Sequence, residues 1–207
     1  MTPWFATCSD AYRPLLEQHF LPSFESSGLS KHYDLHVLPL GEGLSRTGPL
    51  ELLLESLPRD KPSVASGVDF RFYDDFNAAM LLRDDIFFAA TSMDAPDVHC
   101  TDFIISSGKP LFFDFCADWL SEVRRGGEDD QVCMNQVNDW RLNPLHKLPN
   151  QFWSIGLTPP LDRYPWQIGD RVPEPPEDII LHHSNYVAAG VENKLALLEA
   201  VRLKVQK

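Results

Sequence analysis

Apolar and polar positions along this chain follow two periods in turn, one suited to strands and one to helices. Pro3 to Cys8 is a short apolar run closing on small polar residues, which predicts a first, central strand. Ser9 or Asp10 is placed to cap a helix with Tyr12, Leu15, Leu16, His19 and Phe20 on one face. Tyr33 to Leu38 alternates and predicts the second strand; Gly41-Glu42-Gly43 then breaks the chain. Pro49 to Leu57 is leucine-rich and predicts a helix, with the proline suited to its first turn. Past Pro62, the run Val64-Ala65-Ser66-Gly67-Val68-Asp69 predicts a strand that delivers a carboxylate at its carboxyl end. This β-α-β-α-β order predicts an α/β fold with a mostly parallel central sheet and flanking helices.

The second half continues the pattern less regularly. Phe76 to Leu82 predicts a short helix, and Asp85 to Ala90 and Phe103 to Ser107 predict strands, the latter closed by Gly108-Lys109-Pro110. Leu111 to Arg125 carries Phe112, Phe115, Cys116, Trp119, Leu120 and Val123 at helical spacing, ended by Gly126-Gly127. Glu128-Asp129-Asp130-Gln131 opens another helix, its acidic first turn suited to the helix dipole. From Leu142 to Pro176 prolines crowd in, at 144, 149, 159, 160, 165, 173, 175 and 176, and predict extended loops wrapping the sheet. Ile179 to His183 predicts a last short strand, and Val191 to Val205 an amphipathic terminal helix with Leu195, Leu197, Leu198 and Val201.

Composition narrows the class. With 207 residues and 43% hydrophobic content, the chain can bury one sizeable core, so a single domain is expected over 1–207. A net charge of −12 argues against gripping nucleic acid or anionic lipid, since nothing offsets the phosphate repulsion. Cys8, Cys100, Cys116 and Cys133 lie far apart in apolar contexts, which predicts reduced, buried thiols and excludes zinc-ribbon spacing. No apolar run approaches the length of a membrane span and no leader-like segment opens the chain, so a soluble, cytoplasmic protein is expected.

Three features carry candidate chemistry: Asp69 past a strand, the acidic turn at Asp130-Gln131, and His182-His183-Ser184-Asn185 upstream of Lys194. Carboxylate and imidazole groups arriving from separate strand ends suit a hard or borderline divalent cation, and a nearby lysine suits a phosphate. Each also has a plain structural role: a turn cap for Asp69, a strand end for the histidines, a solvated helix position for Lys194.

Together these residues resemble the nucleotide-diphospho-sugar transferases of the glycosyltransferase-A fold, from near residue 4 to near residue 203. Those families carry a strand ending in Ser-Asp-Val-Asp; Ser66-Gly67-Val68-Asp69 is similar in register. Their Cys/Asn-Thr-Gly-Phe strand resembles Cys100-Thr101-Asp102-Phe103. Their helix opening with Asp-Gln, with an Asn four residues later, resembles Asp130-Gln131 and Asn135. Their His-x-Asn-aromatic segment with a downstream glycine and lysine is similar to His183-Ser184-Asn185-Tyr186, Gly190 and Lys194.

The resemblance implies a hexosyl- or pentosyltransferase that moves a sugar from a UDP- or GDP-sugar to a glycan, protein or small-molecule acceptor. Residues 1–75 would be the nucleotide-binding half, and 76–207 the acceptor half with a C-terminal metal and phosphate segment. It implies Mn²⁺ or Mg²⁺ held by Asp69 and His183, and a diphosphate met by Lys194. Thr7, Asp10 and Tyr12 would line base and ribose, with Arg71, Asn185 and Gly190 also on the nucleotide-sugar side. Asp130 and Gln131 would serve the acceptor, Asp130 as base or nucleophile. The chain departs from the family at Gly67, where the Asp-x-Asp motif has its first Asp, and at Asp102, which replaces a glycine. Alternation places Arg71 on the same strand face as Asp69, where it could pair with that carboxylate or meet a phosphate. Two other readings follow: a transferase-like module that binds nucleotide or glycan without turnover, and a glycoside hydrolase built on two of the carboxylates.

Overall fold

The computed structural model describes residues 1–41, 47–82, 87–91, 99–126, 129–154, 165–172, 174–185 and 187–206. Glu42, Gly43, Asp85, Ile86, Gly127, Glu128, Pro159, Pro160, Pro173 and Tyr186, all used in the sequence reading, fall outside these residues.

Six strands form the central sheet: β1 (Thr2–Ser9), β2 (Tyr33–Leu40), β3 (Ser63–Ser66), β5 (Phe87–Thr91), β6 (His99–Ser106) and β7 (Leu145–Lys147). Their order is β2-β1-β3-β6-β5-β7. β1 is parallel to β2 and β3, and β5 is parallel to β7, while β6 runs antiparallel to both of its neighbours. The sheet is therefore mostly parallel, as expected. Between β1 and β2 lies a helical segment, α1 (10–26), which widens to π geometry over Leu16–Phe20. Ser9 starts it, but its side chain makes no capping bond. The other helices are α2 (Gly48–Ser56), α3 (Ala78–Leu81), α4 (Pro110–Gly126), α5 (Asp130–Trp140) and α6 (Val191–Val205).

Strand alternation sorts side chains to the two faces of the sheet. Trp4, Ala6, Val64, Phe103 and Ile105 face α1 and pack with Phe20, Phe24, Phe70 and Phe72. Ala65 and Ile104, with Phe5 beside them, face the other way against Leu50 of α2, Phe112, Phe115 and Trp119 of α4, and Met134 and Val137 of α5. Trp4 is the hub of the first layer. Phe20, Phe24, Tyr33, Phe72, Phe76 and Phe103 meet its indole edge-on at 5.2–6.2 Å between ring centroids. Its one polar hydrogen is satisfied, because Nε1 donates to Ser66 Oγ at 2.8 Å.

Two sequence expectations are corrected here. The strand expected to run through Asp69 stops at Ser66, and the chain restarts as β4 (Phe70–Phe72) in a second sheet. That sheet has the order β4-β9-β8, with β9 (Leu181–His183) antiparallel to β4 and parallel to β8 (Phe152–Ser154). The stretch 142–176, expected as extended loops, supplies β7 to the edge of the central sheet and β8 to the second one. Strands of three residues are too short to display a period, so prolines dominated the reading there.

The path from β1 to β2 leaves on one side of β1, and the path from β2 to β3 returns on the other. This reversal makes a switch point between β1 and β3, where the crevice beyond the strands' carboxyl ends is the preferred ligand position in α/β sheets.

Candidate active site

Beyond the ends of β1 and β3 the backbone is tied before any side chain is considered. Gly67 N–H donates to the Asp102 carbonyl at 2.9 Å, extending the β3–β6 ladder by one bond. Ser184 donates to the Asp69 carbonyl twice, from its N–H at 3.0 Å and its hydroxyl at 3.1 Å. The Asp69 turn is thereby held by both β6 and the segment after β9.

Side chains from five elements, α1, β4, β6, β9 and α6, converge at this turn. Asp69 is buried, and its Oδ2 accepts from Lys194 Nζ at 2.5 Å and lies 3.3 Å from His183 Nε2. Lys194, in the second turn of α6, also donates to the Ser184 carbonyl at 2.9 Å and sits 5.6 Å above the Tyr12 ring. His183 Nε2 is 3.4 Å from Asp102 Oδ2, its Nδ1 is 3.7 Å from Cys100 Sγ, and its ring stacks on Phe70 at 4.3 Å. Asp102, half exposed, is the most open of the four charged members. β4 and β9 pair Phe70 with His183, which is why the histidine stands beside Asp69.

Burial sets the electrostatics. For Asp69, burial alone would favour the neutral acid, but the charges of His183 and Lys194 outweigh it and hold the carboxyl well below its ordinary range. Burial would likewise strip the proton from His183, yet Asp69, then Cys100 and Asp102, keep it on and raise its pKa well above 6.5. Lys194 is desolvated, and Asp69 more than restores its preference for the charged form. Asp69 and Asp102 thus carry two negative charges against two positive ones, and the cluster is neutral by itself. Replacing the His183 proton with a divalent ion would leave it net positive, which suits an anionic ligand.

Asp130 opens α5, where Asp129 caps the helix by accepting from Gln131 N–H at 2.9 Å. Burial first, and then the negative charges of Asp102 and Asp129, push Asp130 up to about 6. Asn135, one turn along, exchanges hydrogen bonds with the His99 backbone at 2.7 and 2.9 Å and fixes α5 to the start of β6.

The expected site residues divide accordingly. Asp69, His183, Lys194 and Tyr12 come together, and Asp102 joins them through His183. Thr7 lies at the end of β1 with its hydroxyl 3.4 Å from the Ser66 carbonyl, and Asp10 makes an exposed ion pair with Arg13. Asn185 follows the Ser184 clamp, and its buried Oδ1 has no partner among the described residues. Gly190 starts α6 at φ +112°, a conformation L side chains rarely adopt. Gln131 sits beside Asp130, its backbone N–H spent on the cap. Arg71 turns away. Its guanidinium meets His19 Nδ1 at 3.1 Å, because the chain changes sheets between Ser66 and Phe70 and strand alternation does not carry through Asp69.

Cys100 and Ser184 stand in the sequence motifs but were given no role at the site. The spacing of Cys100 and Asp102, two apart on one strand, was the available signal for a shared face. The four cysteines are buried, as expected. No helix among the described residues is long and apolar enough to cross a membrane.

No protein-family model matches the chain, and no curated protein matches its sequence. Solved structures do match. The bifunctional glycosyltransferase WbbM in its apo form is similar with a TM-score of 0.64 at 10% identity, over 100% of this chain and 52% of that one. The glycosyltransferase GlyE of Streptococcus pneumoniae TIGR4 gives 0.57 at 12% identity, over 97% of this chain and 63% of that one. Its apo form gives 0.57 at 11% identity, over 98% and 63%. The chain spans about half to two thirds of the length of these proteins. At such identity the likeness is one of fold, and the fold is glycosyltransferase-like.

Proposed function

We propose that this chain transfers a sugar from a nucleoside-diphosphate sugar, UDP- or GDP-linked, to a glycan, protein or small-molecule acceptor. The observation that carries the reading is the convergence of Asp69, His183 and Lys194 beyond the β1–β3 switch point, beside Tyr12 of α1. Residues 1–75 supply the nucleotide side, with Thr7, Asp10 and Tyr12 along base and ribose. The later elements supply the metal, phosphate and acceptor groups.

The donor set fits a divalent cation, because one imidazole nitrogen of His183 lies 3.3 Å from an Asp69 oxygen and 3.4 Å from an Asp102 oxygen. Asp69, Asp102 and His183 would hold it, Mn²⁺ or Mg²⁺, and bound there it would supply Lewis-acid stabilisation of the leaving diphosphate. Lys194 leaves Asp69 and donates to the diphosphate. Phe70, stacked on His183, fixes the plane of the imidazole. Asp130, raised to about 6, is poised near neutral pH to accept a proton from the acceptor hydroxyl. Gln131 and Asn185 orient the sugar and Gly190 lets the chain approach it closely.

A second reading, a module that binds nucleotide or glycan without turnover, is favoured by Gly67. A Cβ there would meet Asp69 Oδ1 at 3.0 Å, so the family's missing carboxylate has little room while Asp69 keeps its present position. Calorimetric titration with UDP and GDP, each with and without Mn²⁺, tests both readings. Binding of either nucleotide is expected; binding of neither sinks the transferase reading and the nucleotide-binding form of the second. Release of nucleotide from a UDP- or GDP-sugar by the wild-type chain excludes the second.

A further inference from the structure

Lys194 occupies Asp69 Oδ2 at 2.5 Å, so the groups left facing a cation differ from the pair expected from the sequence. One ligand atom each from Cys100, Asp102 and His183 lie within 4.8 Å of one another. Cys100 Sγ is 3.7 Å from His183 Nδ1 and 4.0 Å from Asp102 Oδ2, and Asp102 Oδ2 is 3.4 Å from His183 Nε2. Zinc bonds of about 2.3 Å to sulfur and about 2.0–2.2 Å to nitrogen or oxygen imply tetrahedral ligand separations of about 3.4–3.6 Å. Whichever His183 nitrogen binds the ion, the three donors start within 4.8 Å of one another, and the cluster closes toward that geometry by movement of Asp102, half of whose side chain is in solvent.

We infer that Cys100, Asp102 and His183 form a binding site for a thiophilic divalent ion of the Zn²⁺ class, with the fourth position left to water or ligand. A thiolate is a soft donor and discriminates against Mn²⁺ and Mg²⁺. The Cys100 thiol and the His183 imidazolium each pass a proton to solvent when the ion binds. The site shares Asp102 and His183 with the proposed transfer site, so filling it withdraws them from Asp69 and closes that site to an oxygen-preferring cation. The inference rests on that reading only for this consequence; the ion site itself does not need transfer activity.

Cobalt replaces zinc visibly, so the test is titration of the reduced, chelator-treated full chain with Co²⁺, followed by absorbance. A near-ultraviolet sulfur-to-cobalt charge-transfer band is expected in the wild type and absent in Cys100→Ser. Asp102→Asn, a change at a half-exposed position that should leave the fold intact, should weaken Co²⁺ and Zn²⁺ about tenfold to a hundredfold, at least as much as losing an outer-shell partner. No band in the wild type, a band that survives Cys100→Ser, or unchanged affinity in Asp102→Asn each overturns the inference. Nucleotide titration of the same protein separates the two proposals. A cobalt band without nucleotide binding keeps this site and removes the transferase reading, and the converse result does the reverse.

Discussion

Trp4 and Asp69 are both buried at the heart of the molecule, one strand apart, and they are stabilised in opposite ways. Trp4 is surrounded by aromatic edges, and its single donor is matched by Ser66. Nothing is left there for a ligand to satisfy. Asp69, three residues beyond Ser66, is held by charges that could be released to a ligand: a lysine on a helix and an imidazolium on a strand. Apolar packing around Trp4 makes the β1–β3 edge rigid, and the polar cluster at Asp69 uses that rigidity. Mutations on the two sides should therefore disturb different things, packing at Trp4 and charge balance at Asp69.

The largest expected effect is on the apolar side. Trp4→Ala should cost about 3–5 kcal/mol of unfolding free energy, read by chemical denaturation, because a hub of six ring contacts is lost. A loss below about 1 kcal/mol would mean that Trp4 is not the hub. Next, Asp69→Asn strands two cations and should cost about 3 kcal/mol. The double change Asp69→Asn with Lys194→Met should recover part of this, since one stranded charge is gone; strict additivity would break the coupling described here.

Asp130 sharpens the comparison through pH. Its pKa is raised from 3.8 to about 6, so its ionisation in the folded state is a penalty that is absent below pH 3.8 and complete above pH 6. Asp130→Asn should therefore stabilise the protein by about 1–2 kcal/mol at pH 7, discounted for partial solvent exposure, with the gain fading as pH falls to 4. A gain independent of pH would refute the assignment. The smallest effect is expected at Gly67→Ala, whose methyl group must displace Asp69 Oδ1 from 3.0 Å, a cost of about 1 kcal/mol in a denaturation curve.

The same contrast explains what could be read from the chain. Apolar and alternating runs marked β1, β2 and the helices α2, α4 and α6 to within about two residues at each end, because burial of one face imposes the period, while α5 was legible only at its acidic start. Asp69, His183 and Lys194 were legible through their family-like order. The break at Gly67-Val68-Asp69 was not, since Phe70–Phe72 prolongs the apolar pattern while changing sheets, and this misplaced Arg71. Cys100 was read as a buried thiol, which it is. Its approach to His183 depends on the pairing of β9 with β4, a long-range contact that carries no local signal.

The central claim is that the Lys194 ammonium, now resting on Asp69, belongs to a bound diphosphate. Calorimetry of UDP and GDP binding to the wild type and to Lys194→Met tests it most directly. The account predicts that the wild type binds one of the two nucleotides and that the variant binds it about thirtyfold more weakly, a loss of about 2 kcal/mol. Equal binding by both proteins, or no binding by the wild type, would contradict it.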